Sequence, residues 1–259
     1  MERRTLGGAA LLDWGYVVLV ATLVQASVLA LVLILTPLLW LGRHRPPAAL
    51  ARWRIALYFL AIGFAFLFVE IASIQRFVLF LGHPVYAIPV VLCAFLFFAG
   101  LGSGFAPKLT ARLDALQGLP ALGALMRFTG GDGRCRWVVR IHHPALALAV
   151  AGIVAAAVLH LVAAPSLFRW LMPLPDTLKI AVSLVLIAPL AFFMGLPFPL
   201  ALVRVAAVRP GLVPWAWGIN GCASVLSAIL AILLAMSLGF SAVLLIAIGL
   251  YLVAAATLR

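Results

Sequence analysis

RIALYFLAIGFAFLFVEIASIQRFVLFLGHPVYAIPVVLCAFLFFAGLGSGFA, residues 54–106, holds two long apolar runs separated only by Gly82-His83-Pro84. About 20 consecutive apolar residues form a helix long enough to cross a bilayer core. In hydrocarbon every backbone polar group must be bonded internally, which leaves helices and closed barrels. The period-two alternation of a membrane barrel is absent here. The stretch therefore reads as a transmembrane helical hairpin, and it predicts an all-α membrane protein.

Composition extends that reading to the whole chain. Of 259 residues, 67% are hydrophobic and only 9% charged, whereas a soluble domain carries roughly a quarter charged residues. The net charge of +12 raises the question of nucleic acid, but that needs a basic face on a soluble fold. Here the basic residues cluster between apolar runs, as in the cytoplasmic loops of membrane proteins, so no nucleic-acid partner is expected. The partner implied is the lipid bilayer. Cys93, Cys135 and Cys222 form no CxxC pair, so neither a disulfide framework nor a metal site is expected. The first apolar run is too long for a signal-peptide core.

Seven runs qualify as spans: 15–41, 54–80, 85–106, 144–164, 178–203, 215–237 and 240–257. The expected organisation is one integral membrane domain over 1–259, with an N-terminal tail at 1–14. Residues 107–143 form a cytoplasmic loop whose PKLTARLDALQGLPALGALMRF part reads as amphipathic and surface-lying. If the first span starts outside, 13 of the 18 Lys and Arg fall on inner segments. That imbalance predicts N-out and C-in.

Glu70 is the only acidic residue inside a predicted span. An ionisable group at such depth is a functional-site candidate that needs a named partner. Gly63, Ser73, Ile74 and Phe77 share its helical face, while Arg76 is rotated away and placed to reach water at the outer end. Depth makes Gln25 on the neighbouring antiparallel span the first-choice partner, with His160 and Ser183 behind it. Two roles stay open: a polar staple between helices, or a proton- or cation-handling site. His83 with Pro84 closes a tight turn. A metal held by His83 and His160 lacks a third ligand.

At the inner end three irregular features share one depth. GLGSG carries Gly102 and Ser103, MGLPFPL carries Pro197 and Pro199, and WAWGINGCAS carries Asn220. Broken helices facing a polar residue can line a substrate path, and small residues can equally serve close packing. No catalytic set emerges: there is no second carboxylate near Glu70, no nucleophile with a base, and no HExxH.

VEIASIQRFVLFLGHPVYAIPVVLCAFLFFAGLGSG, MGLPFPL and VPWAWGINGCASVLSAILA together resemble the transmembrane region of bacterial membrane proteins of the spermidine synthase-like family. DWGYVVLVATLVQA resembles the segment that follows the soluble domain there. The resemblance spans about residues 13–240, apart from 107–143. It implies a bacterial inner-membrane protein and an association with a soluble domain that binds an S-adenosyl cofactor. This chain has no strand followed by GxGxG and no acidic pair for a polyamine, so no cofactor and no synthase activity are expected of it. It reads as a non-catalytic membrane module serving such a partner, with a small-solute transporter using Glu70 as the alternative.

Overall fold

The computed structural model describes residues 3–32, 36, 49–117 and 144–257. Eight helices account for nearly all of them: α1 Arg3–Ala30, α2 Ala49–Leu81, α3 Pro84–Gln117, α4 Pro144–Leu171, α5 Asp176–Met194, α6 Pro197–Val208, α7 Val213–Leu238 and α8 Phe240–Thr257. No strand occurs among the described residues. Six segments are long and apolar enough to cross a membrane: Trp53–Leu81, Pro84–Leu113, Pro144–Leu171, Asp176–Val208, Pro210–Leu238 and Phe240–Thr257. α1 adds a shorter apolar stretch, Trp14–Ala30. The chain is an all-α polytopic bundle.

The hairpin between α2 and α3 forms as its residues dictate. α2 ends at Leu81, and Gly82 takes φ +79°, a conformation that L side chains resist. The Gly82 N–H donates to the Val78 carbonyl, and the His83 carbonyl accepts from Tyr86 and Ala87, which closes the last turn of α2 and caps the first turn of α3. α3 then starts at Pro84, where a missing N–H costs nothing.

Several boundaries differ from the sequence expectation. The N-terminal tail placed at 1–14 is helical from Arg3, and the end of the first expected span, beyond residue 32, lies almost wholly outside the described residues. The loop expected to begin at 107 instead continues α3 through Pro107 to Gln117. Packing explains the extension, because Ala106 and Leu109 sit against Leu196, Phe192 and Phe193. The remainder of that loop, 118–143, lies outside the described residues. α4 likewise runs through Pro165 to Leu171, held by Phe168 between Phe77 and Phe80 of α2. The fifth span divides: α5 stops at Met194, the chain turns through Gly195-Leu196, and α6 restarts with Pro197 in its first turn. In the first turn of α6 the missing N–H of Pro197 costs nothing.

α2 is the centre of the bundle. It packs most extensively on α7 and α8, and also on α3, while α1 lies against α7. Its membrane-crossing part is the most enclosed of the six. Burial of its Tyr58, Phe59, Ala65, Val69 and Phe77 is essentially complete. Five crossings separate the start of α2 from the end of α7, so those two helices run in the same direction. We call the end of the bundle carrying Lys108, Arg204 and Arg209 the basic end, and the end carrying Arg76, Arg169 and Lys179 the far end.

Candidate polar site along the central helix

Three polar groups on α2 mark three depths: Tyr58 near the basic end, Glu70 in the middle, and Arg76 toward the far end. At 1.5 Å per residue they are about 18 Å and 9 Å apart along the axis.

Glu70 is only 6% exposed, yet it makes no hydrogen bond or ion pair among the described residues. Its face is set by Gly63, two turns earlier. A Cβ on Gly63 would lie 2.8 Å from the Ala223 Cβ and 2.9 Å from the Asn220 carbonyl oxygen. That contact fixes α2 against α7. Because the helices run in parallel, the same register brings Glu70 to the level of Ser227, which is fully buried. The Ser227 hydroxyl is engaged with the Ser224 carbonyl at 2.9 Å. The hydroxyl at that level is therefore already used within its own helix.

Gln25 is not its partner. α1 packs on α7, where the Cys222 thiol reaches the Ala30 carbonyl at 3.5 Å, and Gln25 itself is exposed. Matching depths place Gln25 and Glu70 on one level, but depth says nothing about which helix lies between them. Ser183 also turns inward to its own helix, donating to the Lys179 carbonyl.

Arg76 does not simply reach out to water. Its Nη1 donates to the His160 carbonyl of α4 at 3.2 Å, and its Nη2 donates to the Ser241 hydroxyl of α8 at 2.9 Å. One guanidinium thus joins three helices, as a planar fork with several donors can. The His160 ring lies 6.1 Å from that of Phe77 and is 7% exposed, and its Nε2 is buried without a hydrogen-bond partner. Arg76 and His160 therefore belong together, whereas His83 is exposed in the far-end turn, where its ring meets Tyr86. No group of three metal-ligating side chains occurs among the described residues.

At the basic end the irregular motifs are engaged in packing. A Cβ on Gly102 would fall 2.0 Å from the Phe192 carbonyl oxygen, and one on Gly195 would fall 2.0 Å from the Ala99 carbonyl oxygen. α3 and α5 therefore cross backbone against backbone. The Tyr58 hydroxyl donates to the Pro197 carbonyl at 2.8 Å, fixing the restart of the broken helix to α2. Phe198 wedges between Phe59 and Trp217, at ring distances of 5.4 and 4.7 Å. Ser103 and Pro199 are half-buried beside this region. Asn220 sits on Gly63 of α2, while MGLPFPL touches both other motif-bearing helices, through Gly195 at Ala99 of α3 and through Phe198 at Trp217 of α7.

Sequence reasoning passed over Tyr58, Gly195 and Ser241. A tyrosine inside an apolar run signals a buried hydroxyl that needs an acceptor, so Tyr58 was findable. Gly195 and Ser241 carry no such local sign. Comparison with known protein families, with curated proteins and with solved structures yields no match.

Proposed function

We propose that this integral membrane protein carries or relays a small cation or a proton at Glu70. One observation supports the reading most directly: an enclosed carboxyl group on the central helix that no described side chain neutralises or hydrogen-bonds. A staple would need a partner across the helix interface, and the Ser227 hydroxyl at the same level is turned to its own backbone. A carboxylate held in low dielectric without a counter-charge is stable only when it binds a proton or a cation. In that reading the basic end faces the cytoplasm of a bacterial inner membrane, with N-out and C-in. The test is flux in proteoliposomes, with protons, sodium, potassium and a polyamine as the solutes. Glu70→Gln is expected to reduce flux at least tenfold while eluting as a folded protein. Equal flux in the variant, or no flux of any of the four in the native protein, refutes the reading.

A second reading is a non-catalytic membrane module serving a soluble S-adenosyl-binding partner of the spermidine synthase-like kind. The observation favouring it is that the residues carrying that resemblance, Gly102, Pro197 and Asn220, are consumed by contacts between helices. Co-purification of such a protein with the native chain supports this module, and its absence under gentle extraction removes it.

A further inference from the structure

The two ends of the bundle treat their cations differently. At the far end Arg76 donates to the His160 carbonyl and the Ser241 hydroxyl, Arg169 Nε donates to the Pro165 carbonyl, and Lys179 lies 3.9 Å from Asp176. At the basic end Lys108, Arg112 and Arg204 are exposed and make no hydrogen bond or ion pair among the described residues. The chain cannot neutralise this end by itself. Its segments hold 13 of the 18 Lys and Arg but only two acidic residues, Asp114 and Asp132. Most of the counter-charge must come from outside the protein.

Packing brings the three cations to one level. Lys108 and Arg112 stand one turn apart on α3 and share a face. α3 and α6 run in the same direction, and Leu109 and Leu200 pack against the same cluster of Ala106, Ala149 and Leu196. Arg112 lies three residues beyond Leu109 and Arg204 four beyond Leu200, about 4.5 and 6 Å along the two axes. All three cations fall within segments long and apolar enough to cross the membrane, Pro84–Leu113 and Asp176–Val208. The exposed neighbours of Arg204 are apolar, Val203 at 67% and Val208 at 73% exposure. A cation set among such side chains lies where acyl chains meet headgroups, with its stem in lipid and its charge at the interface. That depth favours a lipid over a soluble acidic protein.

We propose that Lys108, Arg112 and Arg204 form a docking surface for anionic phospholipid headgroups in the leaflet at the basic end. The phosphate of a phosphatidylglycerol-type lipid supplies the missing charge, and its acyl chains cover Val203 and Val208. A guanidinium takes two phosphate oxygens on its fork, while an ammonium takes them as a point charge. A choline headgroup carries its own cation and leaves the three charges uncompensated. Each Lys or Arg beside an anionic leaflet strengthens attachment about fivefold. The surface is independent of what Glu70 does.

The experiment places the full chain in nanodiscs of phosphatidylcholine and phosphatidylglycerol in equal amounts, and reads by native mass spectrometry the ratio of the two lipids it retains on release. The native protein should retain phosphatidylglycerol in preference. The triple variant Lys108→Gln, Arg112→Gln, Arg204→Gln should lose at least about tenfold of that preference. A far-end double variant, Arg169→Gln with Lys179→Gln, should keep it. The three basic-end side chains are exposed, so their replacement leaves the core intact. If the triple variant nevertheless fails to fold, Arg112→Gln decides alone: a fall of about fivefold supports the surface, and an unchanged ratio overturns it. Equal retention of the two lipids by the native protein refutes the proposal, as does an equal loss in the far-end variant. Binding of polyglutamate in pure phosphatidylcholine, without any phosphatidylglycerol preference, would assign the surface to a soluble acidic partner and refute it too.

Discussion

The crossing of α3 and α5 permits a quantitative test. In Gly102→Ala the new Cβ would start 2.0 Å from the Phe192 carbonyl oxygen, against the 3.4 Å at which ordinary contact begins. The obstructing atom is backbone of a packed helix, so it has no rotamer through which to escape. Relief requires the two helices to separate, which breaks the surrounding contacts of Ala106, Leu196 and Phe193. Overpacking of this kind costs about 1–3 kcal/mol, and a backbone obstacle puts Gly102 at the upper end. Against that stands a helix-propensity gain of up to about 1 kcal/mol for alanine over glycine. The expected net loss is about 2 kcal/mol. Gly104, on the same helix, has open space where its Cβ would be. Gly104→Ala should therefore be neutral or slightly stabilising, and the two variants should differ by about 3 kcal/mol. Gly195 provides a second arm. Its φ of −73° suits any residue, so Gly195→Ala is opposed only by the Ala99 carbonyl on the other side of the same crossing. Once one alanine has spread the helices, the second adds little. The double variant should fall short of additivity by about 1–2 kcal/mol. Reversible unfolding in mixed detergent–dodecyl sulfate micelles, followed by circular dichroism, measures all four. If Gly102→Ala unfolds with Gly104→Ala, or if the double variant is strictly additive, the backbone crossing is wrong.

Further outcomes follow from other contacts. Tyr58→Phe leaves the ring in place but strands the buried Pro197 carbonyl, and should cost about 1–2 kcal/mol in the same unfolding assay; no change would detach the α6 restart from α2. Gly63→Ala should destabilise by about 1–3 kcal/mol. Ala223→Gly should restore only part of that, because the Asn220 carbonyl oxygen, at 2.9 Å, still obstructs the new Cβ. Single cysteines introduced at positions 45 and 169 should label from opposite sides of sealed vesicles, and labelling from one side would overturn the N-out, C-in orientation.

Much of the fold was legible because hydrophobic length is a local property. The limits of α7 and α8 fall within two residues of the apolar runs 215–237 and 240–257. The turn at Gly82-His83-Pro84 is likewise read from residue chemistry alone. Helix ends governed by partners were not legible. Leu109 and Phe168 prolong α3 and α4 past their apolar runs because another helix covers them. Glu70 stood out as the single acidic residue in a span, since its cost depends only on depth. Its assigned partner failed, since neighbouring depth does not determine neighbouring helices: α1 settles on α7 and leaves Gln25 outside.

The same distinction runs through the whole protein. By itself the sequence determined that the chain lives in lipid, that it crosses as helices, where most of those helices turn, and that one carboxyl group lies at depth. These follow from transfer free energy and backbone bonding, which act residue by residue along the chain. Only the tertiary structure decided that α2 is central, that Gly102 meets α5 while Asn220 meets Gly63, and that Arg76 joins the His160 carbonyl to Ser241. Helix faces in a membrane are nearly uniform in hydrophobicity, so shape and a few polar contacts choose the neighbours, and both come into being only when the helices pack.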